Sequence, residues 1–178
     1  AVLDWTYANI TSPDQVMVTG CSAGAYGSIM WSAHVRKHYE KARVLQLADS
    51  GAGVITDTFF QDSFPSWKPE SSYPTWMDGV DPKDLSRLPQ LYEAIGGYYP
   101  DMTLSHYNTH YDEDQTFFFS AMGGGDAYAW SEQMNENVDE ILTEVPNFAS
   151  YRAPGYVHCI LPRDEFYSVS SNGVKLVD

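Results

Sequence analysis

An α/β fold with a mostly parallel sheet flanked by helices follows from two observations on this sequence. Val16-Met17-Val18-Thr19 is a β-branched, apolar stretch behind the turn-forming Ser12-Pro13-Asp14, and it runs straight into a helical pattern. A second apolar run, Arg43 to Asp49, follows that helix. Two strands joined by a crossover helix make the connection that parallel pairing requires.

The remaining elements follow in order. Ala1 to Ile10 reads as a short helix carrying Val2, Leu3, Trp5 and Tyr7. The helix after the first strand shows Tyr26, Ile29, Met30 and Ala33 as an apolar face, and Arg36, Lys37 and His38 suit its C-terminal dipole. Residues 57–82 are rich in aromatics, proline and serine from Phe59 onward, show no period, and are expected to form a lid or insertion. Leu88 to Ile95 is predicted helical, with Pro89 in its first turn and Gly96-Gly97 ending it. Thr103 to Thr109 is the third strand, and Glu113 to Met122 a helix ended by three glycines. Ala127 to Val145 is a long helix with Trp130, Met134, Val138, Ile141 and Leu142 on one face, and Phe148 to Tyr151 is the fourth strand. Phe166–Val169 and Val174–Val177 flank Ser171-Asn172-Gly173 as a hairpin.

At 178 residues and 43% hydrophobic, the chain can bury one core, and residues 1–178 are read as a single domain. The net charge of −14 would repel a phosphate backbone, so nucleic acid is excluded as a partner and neutral or weakly charged substrates are favoured. No apolar stretch approaches the roughly 20 residues that would span a membrane.

Chemistry enters at Gly20-Cys21-Ser22-Ala23-Gly24, a G-x-S-x-G set between a strand and a helix, which is the context of a nucleophile elbow. The glycines are expected to flank a backbone too tight for Cβ atoms. A serine hydroxyl needs a base, and the base needs an orienting acid, here in the order serine, acid, histidine. His158, in a glycine-containing loop beyond the last long helix, is the preferred base; His34 and His38 read as a solvated helix face. His106 and His110 with Asp112 and Asp114 offer ligand chemistry, but in an extended segment positions four apart do not converge, so no metal is expected. Asp112 is the first acid beyond the third strand, Asp114 a serious rival, and a helix-capping role would suit either. Asp49 either braces the site loops or caps. Phe59, Trp67, Tyr73 and Trp76 are candidates for a substrate pocket, or for packing of the lid. Cys21 precedes the proposed nucleophile and Cys159 follows the proposed base, so nearness of Ser22 and His158 would bring the two cysteines close enough to bridge. A disulfide favours an oxidising, extracellular compartment. Asn9-Ile10-Thr11 is a candidate glycosylation sequon.

Gly20-Cys21-Ser22-Ala23-Gly24, Ala48-Asp49-Ser50-Gly51, Tyr111-Asp112-Glu113-Asp114-Gln115 and Val157-His158-Cys159 resemble, in order, the blocks of the pectin acetylesterase and Notum family of carboxylesterases. The resemblance implies an α/β-hydrolase-like fold, no cofactor, a triad of Ser22, Asp112 and His158, and removal of a small acyl group, acetyl first, from a hydroxylated small-molecule or glycan substrate. The match at Gln115 favours Asp112 over Asp114. Tannase-like feruloyl esterases share this logic, and a non-catalytic binding or structural protein on the same fold is the contrasting class. Ala23 N–H is one expected oxyanion donor. Nothing upstream of Ser22 matches the glycine-rich loop that carries the second, so the chain is expected to lack the N-terminal strands and to work with a missing N-terminal segment of the same protein.

Overall fold

Four parallel strands, β1 (Gln15–Cys21), β2 (Arg43–Asp49), β3 (Thr103–Thr109) and β4 (Phe148–Ala153), lie side by side in chain order in the computed structural model, which describes residues 2–77 and 87–177. The register pairs Cys21 with Asp49, Asp49 with Tyr107, and Thr109 with Ala153, so the C-terminal ends of all four strands reach one edge of the sheet. Ligands of open α/β sheets bind at that edge. Ser22, Asp112 and His158 all lie in connections that leave it.

Helices α1 (Val2–Asn9), α2 (Ala23–His38), α3 (Asp57–Trp67), α4 (Leu88–Tyr98), α5 (Glu113–Ala121) and α6 (Ala127–Glu144) supply the other layer. A sequential strand order with right-handed crossovers puts α2, α4 and α6 on the same face. There Ile29, Ala33, Val44, Tyr92, Ile95, Leu104, Trp130, Met134, Val138 and Ile141 form the main core. On the opposite face Tyr107, Ala153 and Ile160 are buried beneath Phe166, Val169 and Leu176 of the C-terminal segment. Among the described residues no helix is long and apolar enough to cross a membrane.

Several expectations are corrected. The buried face of α2 is Ala25, Ser28, Ile29, Ser32, Ala33 and Val35, with Tyr26 and Met30 turned toward a cavity instead. Small residues let α2 lie close to the sheet, and Ser28 is satisfied there: its Oγ donates to Ala25 O at 2.7 Å and accepts from Gln46 Nε2 at 2.8 Å. Part of the segment read as aperiodic is helix α3, capped by Thr56 Oγ1 accepting from Phe59 N at 3.3 Å. Its apolar side chains face a cavity rather than the sheet and Pro65 sits in its last turns, so no core-facing stripe marks it. Residues 78–82 of the expected lid lie outside the described residues.

Gly96 and Gly97 fall inside α4. At Gly96 a Cβ would stand 2.4 Å from Val145 Cγ1, so this glycine permits a close approach to the end of α6 and is not a stop signal. Leu142 is 41% exposed, off the buried face of α6. In place of a strand over Phe166–Val169 there is a 3-10 turn, Asp164–Tyr167, and the hairpin shrinks to β5 (Ser170–Ser171) and β6 (Val174–Lys175). Its two-residue turn has positive φ at Asn172 and Gly173, as a type I′ turn requires. His34 is part-buried against Trp31 and Trp76, with Nε2 at 2.8 Å from Ser72 O, and His38 stacks on Tyr7; neither is merely solvated. Asn9 is the exposed last residue of α1.

Candidate active site

Ser22 sits between β1 and α2 at φ 58°, ψ −121°, a conformation that L-residues adopt only when the surroundings impose it. Its N–H donates to Asp49 O at 2.9 Å and its carbonyl accepts from Ala25 N at 2.9 Å, so neighbouring backbone fixes both sides of the turn. A Cβ on Gly20 would lie 2.2 Å from Gly24 O, while one on Gly24 would meet nothing within 4 Å. The tightness expected of both glycines therefore belongs to Gly20 alone. Gly20→Ala should lower stability by about 1–3 kcal/mol through overpacking. Gly24→Ala should be neutral or gain up to about 1 kcal/mol from helix propensity. Guanidinium unfolding of the two variants side by side checks this, and equal losses would contradict it.

His158 and Asp112 meet at the sheet edge. His158 Nδ1 lies 2.8 Å from Asp112 Oδ1 and 2.9 Å from Oδ2, with Asp112 fully buried. With Nδ1 carrying a proton toward the carboxylate, the neutral ring presents its lone pair at Nε2. Asp112 is also the N-cap of α5: Oδ1 accepts from Gln115 N at 2.9 Å and Oδ2 from Gln115 Nε2 at 3.0 Å. The capping and histidine-orienting readings of this residue are thus compatible, because one carboxylate makes both sets of contacts. Gln115 Oε1 in turn accepts from Ala52 N at 2.9 Å, tying the acid to the loop after β2. Asp114, the rival, is on the other side of the ring, with Oδ2 at 3.6 Å from Nε2.

The histidine loop is anchored from below. Asp49, fully buried, accepts from Ile160 N at 3.0 Å and Leu161 N at 2.9 Å, and Ser50 Oγ accepts from Cys159 N at 2.9 Å. Arg163 Nε donates to the carbonyls of His158 and Cys159, each at 3.1 Å. Above them, Tyr111 N and Glu113 N donate to Gly155 O and Tyr156 O, zipping the loop after β3 to the loop after β4. Cys21 and Cys159 form a disulfide with Cα atoms 5.6 Å apart. The pairing read from their positions is present.

Sequence reasoning did not single out Ser50 or Arg163. Ser50 stands in the Ala48-Asp49-Ser50-Gly51 block, where a buried Asp-Ser pair at a strand end is the available signal; Arg163 carries none.

Burial opposes a charge on His158, but the hydrogen bond and charge of Asp112, helped by Asp114 and Asp49, outweigh it and hold the imidazole above the usual 6.5. His106 behaves oppositely. Buried against Tyr92 and Phe148, it is pushed down to about 3 and stays neutral. Among the described residues the only group with metal-ligand spacing is Cys21, His158 and Cys159, whose sulfurs are bonded to each other.

Ser22, Ala23, Asp114 and His158 open into one cavity of about 780 Å³. Among the described residues, no hydrogen bond joins Ser22 to His158. The wall is apolar: Tyr26 and Met30 from α2, Val54 and Ile55 after β2, Phe59, Phe60 and Phe64 from α3, Leu88 and Leu91 from α4, and Phe118 from α5. Of the pocket candidates, Phe59, Trp67 and Tyr73 line it. Asp49 does not, being buried beneath the histidine loop, and neither does Trp76, which packs on His34 and Lys37 and donates to Tyr99 OH at 3.1 Å.

Residues 2–66 match the family model of the pectinacetylesterases. That span holds the elbow, β2 with Asp49 and Ser50, and most of α3, while Asp112 and His158 lie beyond it. No curated protein sequence matches the chain. Two crystal forms of the Wnt deacylase Notum from Drosophila share the fold, each with a TM-score of 0.60 and with 17% and 16% identity. The alignment covers 98% of this chain but 55% and 54% of those structures, so the chain spans about half the length of the Notum chains it matches. The resemblance to the pectinacetylesterase family is borne out over residues 2–66, and the likeness to Notum bears out the α/β-hydrolase-like fold.

Proposed function

We propose that the chain carries a serine carboxylesterase site that cleaves an ester whose acyl group fills the apolar cavity. The observation that carries this reading is the convergence of a positive-φ elbow serine and a buried His158–Asp112 pair on one cavity. Ser22 Oγ attacks the ester carbonyl while His158 Nε2 takes the hydroxyl proton. Asp112 keeps Nδ1 protonated and offsets the charge on the ring. Ala23 N–H, at the start of α2, donates to the oxyanion, and His158 returns its proton to the departing alcohol. Water then attacks the acyl-enzyme by the same proton route and releases the acid. No cofactor takes part, and α3 acts as a lid over the acyl group.

A pectinacetylesterase-type acetyl group would use little of a 780 Å³ apolar cavity, which favours a longer or bulkier apolar acyl chain. An alcohol that is neutral, such as a glycan or another hydroxylated molecule, suits a protein of net charge −14. The disulfide supports a secretory or extracellular setting.

A series of 4-nitrophenyl esters from acetyl to decanoyl tests the reading. Each methylene buried in the cavity is worth about 0.8 kcal/mol, so kcat/KM should rise roughly fourfold per methylene until the cavity is full. A profile that peaks at acetyl would return the assignment to deacetylation. No turnover of any ester, with no fluorophosphonate adduct on Ser22, would remove the esterase reading.

A further inference from the structure

His158 is bracketed by two carboxylates from one short stretch of chain. Asp112 occupies Nδ1, and Asp114 Oδ2 stands 3.6 Å from Nε2, the nitrogen a nucleophilic serine needs. That separation is an ion-pair distance and too long for a hydrogen bond. The two carboxylates differ in freedom. Asp112 is fully buried and held by Gln115, whereas the Asp114 side chain is 59% exposed at the cavity wall and can turn into solvent.

Resting on the esterase reading above, we propose that Asp114 is a positioning residue that competes with Ser22 for His158 Nε2. Whenever the ring is protonated, Asp114 faces its Nε2–H across the 3.6 Å gap. When an ester fills the cavity and displaces Asp114 outward, the Nε2 proton passes to solvent and the freed lone pair accepts from Ser22 Oγ.

The charged groups around the ring set what each can contribute. Asp112 and Asp114 face it from the start of α5, Asp49 from the end of β2, and Arg163 from the C-terminal segment behind its carbonyl. Asp112 and Asp49 also hold the backbone of their loops, so removing either unmakes the site. Asp114 is the carboxylate of the three whose charge can be removed without breaking a hydrogen bond to a loop.

The test is the titration of His158, followed by NMR in the wild type, Asp114→Asn and the charge control Glu113→Gln, beside the pH profile of kcat/KM for a 4-nitrophenyl ester. The acid limb in the wild type reports the protonation of the free base. Asp114→Asn should lower the His158 midpoint by about half a pH unit, the modest size expected of a largely exposed partner. The acid limb should move down with it, raising kcat/KM at pH 6 by up to about threefold. Glu113→Gln, which removes an exposed charge one residue away, should move neither. An unchanged His158 midpoint in Asp114→Asn overturns the proposal, as does a shifted midpoint with an unmoved acid limb. If the wild type neither hydrolyses esters nor takes a fluorophosphonate, the esterase reading fails by itself, and the His158 midpoint still decides whether Asp114 holds the ring.

Discussion

Ser22→Ala should lower ester turnover by about four to six orders of magnitude, because removal of the nucleophile leaves only binding and oxyanion contacts to act. Thermal unfolding should be nearly unchanged, since the side chain fills no core space and the backbone bonds of Ser22 to Asp49 and Ala25 remain. Ser22→Gly makes a useful companion. It should be equally inactive yet more stable, by about 1 kcal/mol, because glycine relaxes the positive φ that serine holds under strain. Steady-state kinetics and calorimetry on the two variants read both effects. Retained activity in Ser22→Ala would sink the assigned nucleophile, and a destabilised Ser22→Gly would show that the elbow is not strained.

The second large effect is on stability. The Cys21–Cys159 bond closes a loop with a sequence separation of 138, for which loop entropy gives about 5 kcal/mol. The double variant Cys21→Ala/Cys159→Ala should lose stability of that order and, because the bond joins the residue before Ser22 to the residue after His158, much of its activity. Asp49 and Ser50 still hold the amides of Cys159, Ile160 and Leu161, so the histidine loop should remain attached in the folded fraction. Denaturant unfolding with and without reductant measures the loss. A midpoint unaffected by either the variant or reduction would show that the bond adds nothing to the fold.

Strands β1 and β2 and the elbow are readable in the sequence because largely apolar runs stand on either side of a helical pattern, and a glycine-flanked serine after such a run has few structural alternatives; β3 and β4 carry Ser105, His106, Asn108 and Arg152 and give a weaker signal. The face of α2 is half readable from hydrophobicity: Ile29 and Ala33 are buried as their spacing predicts, but the small Ala25, Ser28 and Ser32 share that face, while the larger Tyr26 and Met30 line a void. Helix α3 is hidden for the same reason: its phenylalanines face a cavity. The serine, acid and histidine candidates could be named from order and spacing alone. What distinguishes Asp112 from Asp114 in space is which ring nitrogen each faces, and the one-dimensional signal of that is the block match at Gln115, whose amide holds Asp112.

The anchors of the histidine loop have a consequence for how the chain acquires its site. Cys159 reaches Ser50 across 109 positions, Ile160 reaches Asp49 across 111, and Leu161 reaches it across 112. Contacts of such range form only after their loop-closure entropy has been overcome, whereas the unit of β1, α2 and β2 can assemble from near neighbours. The elbow can therefore be shaped early on the folding pathway and stand without a base until the C-terminal segment docks. On the esterase reading proposed above, nucleophilicity at Ser22 then arrives with the C-terminal segment, so the serine would become reactive only once that segment has docked.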